Sequence, residues 1–220
     1  MAVRVAGSIA REDSELWKLL RAIASGDTPR MSRLLRASPR LASDATAVGA
    51  TRQSATSYFF EEIQHYVYAG DTPLHVAAAA YRTDVARDLV RRGADVNARN
   101  RRGAESLHYA CEGHPATASW APRAQAAVIE YLLRTGADPN AIDKGGVTPL
   151  HRAVRTRCAS AVRVLLAHGA DPLRQNGNGS TALDLAVRTT GRGGSGSVAA
   201  REQQRLILQL LASHGADGQK

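Results

Sequence analysis

Lysine is almost missing from this chain of 220 residues: only Lys18, Lys144 and Lys220 occur, and arginine supplies nearly all of the positive charge. Cysteine is scarcer still. Cys111 and Cys158 make neither a disulfide framework nor a metal-ligand spacing, which excludes a small oxidised scaffold and fits a reducing compartment. Aromatic residues form only 5% of the chain, too few for a globular enzyme built on a large aromatic core. No stretch approaches the roughly 18 apolar residues of a membrane span. The opening segment MAVRVAGSIARED meets acidic residues before it can build a secretory core. A cytoplasmic protein without a membrane-spanning segment is therefore expected.

Recognisable catalytic and metal patterns are missing too. No HExxH or HxH spacing occurs, and no cofactor or metal is expected. The segment GRGGSGS lacks the Gly-Lys-Ser/Thr ending of a phosphate loop and follows a helix rather than a strand. Cys111, Cys158 and Ser106 have no base at a defined spacing, so no catalytic residue is assigned.

What the chain does have is a repeat, seen most plainly in Lys144–Asn176, KGGVTPLHRAVRTRCASAVRVLLAHGADPLRQN. Thr148-Pro149 opens a helix, with proline at the first turn where its missing N–H costs nothing. Leu150, Ala153 and Val154 fall on one face, and a second helix carries Val162, Leu165 and Leu166 before Gly169 ends it. Neither helix can bury its apolar face alone, so the unit must stack on copies of itself. The slot of Pro73 recurs at Ser106 after 33 residues, at Pro149 after 43 and at Ala182 after another 33.

At GDTPLHVAAAA, ESLHYAC, VTPLHRAV and STALDLAV the chain strongly resembles the ankyrin-repeat family, whose unit is about 33 residues with a T-P-L-H-x-A signature. HYVYAGDTPLHVAAAAY, NRRGAESLHYA and DKGGVTPLHRAVRTRC also resemble a bacterial subgroup of that family. The resemblance implies an all-α solenoid of about five helix–turn–helix units, with insertions in repeats 1, 3 and 5. Residues 1–13 and 218–220 are read as tails, and 14–69 as a degenerate capping repeat plus an aromatic insertion. Four repeats follow, at 70–100, 101–143, 144–176 and 177–217.

The aromatic insertion holds five of the ten aromatic residues, between Tyr58 and Tyr68. It reads either as an extra helix tucking Phe59, Phe60, Ile63 and Val67 over the first repeats, or as a binding wall of Tyr58, His65, Tyr66 and Tyr68. The second insertion, GHPATASWAP, places Trp120 either as a folded-back lid or as a presented contact. His75, His108 and His151 occupy the family's TPLH slot and imply a structural role. His168 and His214 precede helix-ending glycines. His65 and His114 lie outside the repeat pattern.

Charge is uneven. Residues 144–220 carry 11 basic and 4 acidic side chains, or +7 of the total +9. The resemblance implies contact positions at the finger tips and on the first helices: Tyr68, Asp71, Arg101, Arg102, Tyr109, Glu112, Lys144, Arg152, Arg155 and Arg188. These positions form a basic face with two tyrosines, suited to an acidic protein or peptide partner. An alternative is a pocket for a small anionic ligand, formed by the insertions near Arg155–Cys158 from His65, His114, Trp120, Arg157, Cys158 and Arg192. Nucleic acid ranks third, since the chain carries no known motif for it.

Overall fold

The computed structural model describes residues 14–113, 120–188 and 197–215. Ten α-helices form five antiparallel pairs within them: α1 (Glu15–Ser25) with α2 (Thr28–Ala37), α3 (Pro73–Ala79) with α4 (Thr83–Arg91), and α5 (Ser106–Ala110) with α6 (Pro122–Arg134). The series continues with α7 (Pro149–Arg155) and α8 (Ala159–Ala167), then α9 (Ala182–Val187) and α10 (Val198–Ala212). First helices pack in a row, α1 on α3, α3 on α5, α5 on α7 and α7 on α9. Second helices make a parallel row from α4 through α6 and α8 to α10. This is the expected all-α solenoid.

The sequence signals act locally as read. Ser14 caps α1, accepting from the Trp17 amide, and Gly26 ends that helix in the left-handed region at φ 80°. Ser197 caps α10 by accepting from the Ala200 amide. Leu150, Ala153, Val154, Val162 and Leu165 are buried where the repeats meet, while Arg163 faces outward. Among the described residues no helix is long and apolar enough to cross a membrane.

The TPLH histidines hold neighbouring repeats together. Nδ1 of His75, His108 and His151 accepts from the backbone N–H of Thr72, Glu105 and Thr148, each at 3.2 Å. Nε2 must therefore carry the proton. It meets the next repeat's carbonyl, at Ala104, Val147 and Ser180, at 3.1, 3.0 and 3.1 Å. One imidazole thus closes its own helix start and crosses the repeat boundary. In the last repeat Asp184 stands in this slot, and its carboxylate turns back to Thr181 instead.

The aromatic insertion is not a helix. It folds into short 3-10 turns at Thr56–Tyr58 and Glu61–Ile63 around a two-stranded antiparallel hairpin, β1 (Phe59–Phe60) and β2 (His65–Tyr66). Gln64, at φ 50°, makes the reversal. Clustered aromatics favour extended backbone, and alternation sends Tyr58 and Phe60 inward against Trp17. Val67 is buried as expected, whereas Phe59 and Ile63 are half-buried.

Candidate functional site

Between the later helix pairs the chain runs out as a finger, and the fingers at Asn100, Asp143 and Asn176 each close on one Asx turn. The side-chain oxygen Oδ1 of Asn100, Asp143 and Asn176 accepts two backbone N–H groups, from residues two and four positions on. Finger tips then bond to one another through the backbone. Arg101 N donates to Ala69 O at 2.7 Å, Lys144 N to Arg102 O at 2.9 Å and Gly177 N to Gly145 O at 2.8 Å. The 43-residue third repeat keeps this register because its extra residues lie between its helices, away from the finger.

This ladder sets out exposed cations along one edge. Arg101, Arg102 and Lys144 are exposed on it; Arg188 is exposed too, but at the C-terminal end of α9, where the chain enters the turn between paired helices. The Arg101 guanidinium is anchored on Ala50 O at 2.6 Å. Arg102 lies over the half-buried Tyr68 ring, 5.0 Å from its centroid, and donates to its hydroxyl at 3.0 Å. Tyr66, 37% exposed, continues the aromatic strip toward Phe59.

Three residues expected on that face are buried beneath it: Asp71 at 0% exposure, Tyr109 at 2% and Arg152 at 6%. They belong to a polar network through the first helices. The Tyr109 hydroxyl sits 2.8 Å from both carboxylate oxygens of Asp71, which also accept from Asn100 Nδ2 at 2.8 Å and Tyr68 N at 2.7 Å. Arg152 donates to Glu112 at 2.7 Å and to Asp143 at 3.0 Å, bridging the third and fourth repeats. Burial disfavours both carboxylates, yet Arg152 and His65 hold Glu112 well below the ordinary range, and backbone N–H groups with Arg152 lower Asp143. Glu112 is half-buried, and its other oxygen lies 3.3 Å from Nδ1 of His65. Arg155 is half-buried and also engaged.

The residues assigned to a ligand pocket separate. His65 and Trp120 line one cavity with Arg82 and Tyr81, which the sequence reading missed. Trp120 folds back, its Nε1 donating to Gln125 Oε1 at 3.2 Å, as a lid would. Cys158 does not line this cavity: a Cβ on Gly113 would fall 2.8 Å from its Sγ, so Gly113 stands between. Burial pushes the Cys158 thiol up to about 11, away from the thiolate that a nucleophile needs. Arg157 is buried and turns toward the last repeat, donating to Arg188 O at 3.1 Å. Its φ of 59° lies in the left-handed region that favours glycine, and Tyr81 repeats this at φ 55° eight residues after Pro73. That shared slot is the signal that could have found Tyr81. His114 and Arg192 lie outside the described residues. Among the described residues no cluster could hold a metal ion.

Comparison with curated proteins returns no match. Family models do match: the ankyrin repeat at residues 69–101 and 103–144, and the model for many copies of the repeat at 132–186. Together these spans cover more than half of the sequence and coincide with the stacked pairs whose imidazoles cross each boundary, so the chain belongs to the ankyrin-repeat family.

Proposed function

We propose that this protein is a non-catalytic binding module whose fingertip edge takes an acidic protein or peptide. Ankyrin repeats generally mediate protein–protein binding, which supports the class. The observation that carries the finer reading is the pairing of charge on that edge. Arg152 engages Glu112 and Asp143, whereas Arg101, Arg102 and Lys144 stay exposed along the finger tips, with Arg102 over Tyr68. Arginine and tyrosine bring large contact area and forked donors, the features of interface hot spots. Long-range attraction to carboxylates steers the encounter, and bidentate contacts then hold it.

The test is capture of partners from cell lysate by the full chain, beside a variant carrying R101S, R102S and K144S. An acidic partner retained by the parent, lost by the variant and weakened by salt is the expected result. A partner bound equally by both, or insensitive to salt, would refute this face.

A further inference from the structure

The two ends of the stack present different chemistry. In α1 and α2 every large apolar side chain except Leu16 is buried, and Arg21, Arg30, Arg33 and Arg36 are exposed. A polar outer face of this kind keeps a terminal repeat soluble. In α9 and α10 only Ile207 and Leu211 among the large apolar side chains are buried, while Val187 and Val198 are 57% and 76% exposed.

The inner repeats show what such positions are for. Leu183 stands in the slot of Leu74, Leu107 and Leu150, which are exposed by 1% or less. Val187 stands in that of Ala78, Cys111 and Val154, again at 1% or less. Leu208, seven residues before the glycine that follows its helix, matches Ala86, Ile129 and Val162, each at 0%. In an inner repeat the following helix pair packs over these slots, whereas here Leu183 and Leu208 are half-buried and Val187 is open. The segments that adjoin these helices in sequence, TTGRGGSG at 189–196 and ADGQK at 216–220, hold no large apolar side chain to cover them. An open apolar face rimmed by polar residues marks an association site.

Three features select its occupant. The second to fourth repeats each tie down their successor through an imidazole, but Asp184 stands in that slot and turns back to Thr181. The N-terminal end of another copy offers arginines, so head-to-tail stacking finds no apolar match. The same leucine-lined face on a second copy does match. Its rim carries both signs, Asp184 and Glu202 beside Arg188, Arg201 and Arg205, so like charge does not hold two copies apart. We propose that this protein forms a two-fold dimer through the open faces of its last repeats. Such pairing closes at two, because each copy uses the same patch. The dimer needs none of the fingertip cations, and it brings two fingertip edges into one particle for bivalent capture.

The test is analytical ultracentrifugation of the full chain, with thermal melts to show that each variant is folded. The mass should rise from one chain to two between about 1 and 500 µM, as suits an interface of only two helices per copy. Salt at about 0.5 M should leave the dimer in place, since apolar burial is not screened. V187E, at an already exposed position, should weaken association at least about tenfold by setting a carboxylate against leucine. The variant carrying R101S, R102S and K144S should dimerise as the parent does. The mass of a single chain throughout would overturn the proposal and leave this face to another partner. So would a dimer unchanged in V187E, a dimer lost with the fingertip cations, or growth past two chains.

Discussion

Nε2 of His108 lies 3.0 Å from the carbonyl of Val147, thirty-nine residues away, while Nδ1 accepts from Glu105 of its own repeat. A single side chain therefore joins local helix initiation to long-range stacking. Its replacement should hurt both. H108A is expected to lower stability by about 2–4 kcal/mol, since it opens a cavity and leaves two buried backbone groups unpaired. Urea denaturation would check it, and a loss under about 0.5 kcal/mol would show that the bond to Val147 contributes little.

The same geometry sets a pH dependence. Burial pushes His108 down to about 3, and lowers His75 and His151 from their ordinary 6.5. The unfolded chain then takes up protons first as pH falls. The stabilisation is whole above about 6.5 and declines below it, by up to ~1.4 kcal/mol per pH unit for each histidine until its folded pKa is reached. Denaturation midpoints at pH 7.5 and 5.5 should differ accordingly. H108F, which cannot protonate, should flatten the slope.

Arg152 is the charge on which the third and fourth repeats converge. R152A leaves Glu112 and Asp143 facing each other without their cation, and should cost about 3–5 kcal/mol. Adding E112Q to R152A should recover part of that loss. A double variant no more stable than R152A alone would mean that the cost lies in lost packing instead of unpaired charge.

Leu150 and Leu165 are buried where the helices of the fourth repeat meet. L150A or L165A should each cost about 2–5 kcal/mol by calorimetry or urea denaturation. A loss below this range would show that the site collapses around the smaller side chain.

Gly146 and Gly93 both have positive φ, 68° and 93°, but differ in surroundings. A Cβ at Gly146 would come within 2.7 Å of Gly177 N, in the finger ladder, whereas at Gly93 it meets nothing within 4 Å. G93A should cost about 1 kcal/mol from backbone conformation alone. G146A should cost clearly more, and equal losses in the two variants would mean that the fingers part easily.

The fold was legible because its signals are local and periodic. Thr148-Pro149, the TPLH histidines and Gly169 act within a few residues of themselves, and stacking follows from faces that cannot be buried singly. The face was only partly legible. Arg101, Arg102 and Lys144 are exposed as their finger positions imply, but Tyr109 finds Asp71 across 38 residues and Arg152 finds Glu112 across 40. No spacing rule announces such pairs, and the pairing draws these side chains inward. The hairpin at Phe59–Tyr66 was hidden because a short aromatic run carries both a helical and an extended reading. The cavity was hidden for a further reason: His65 and Arg82 meet only after that hairpin has folded.

The backbone bonds between finger tips give the two edges of the stack unequal freedom. Along the fingers, one added residue would break a hydrogen bond and displace every cation beyond it. At the opposite edge, the turn between paired helices already absorbs ten additional residues in the third repeat while Lys144 N still reaches Arg102 O. Loop length is thus a variable the architecture tolerates on one side only. New peptide segments could be grafted into the inter-helix turns, and the spacing of the charged tips would remain as it is.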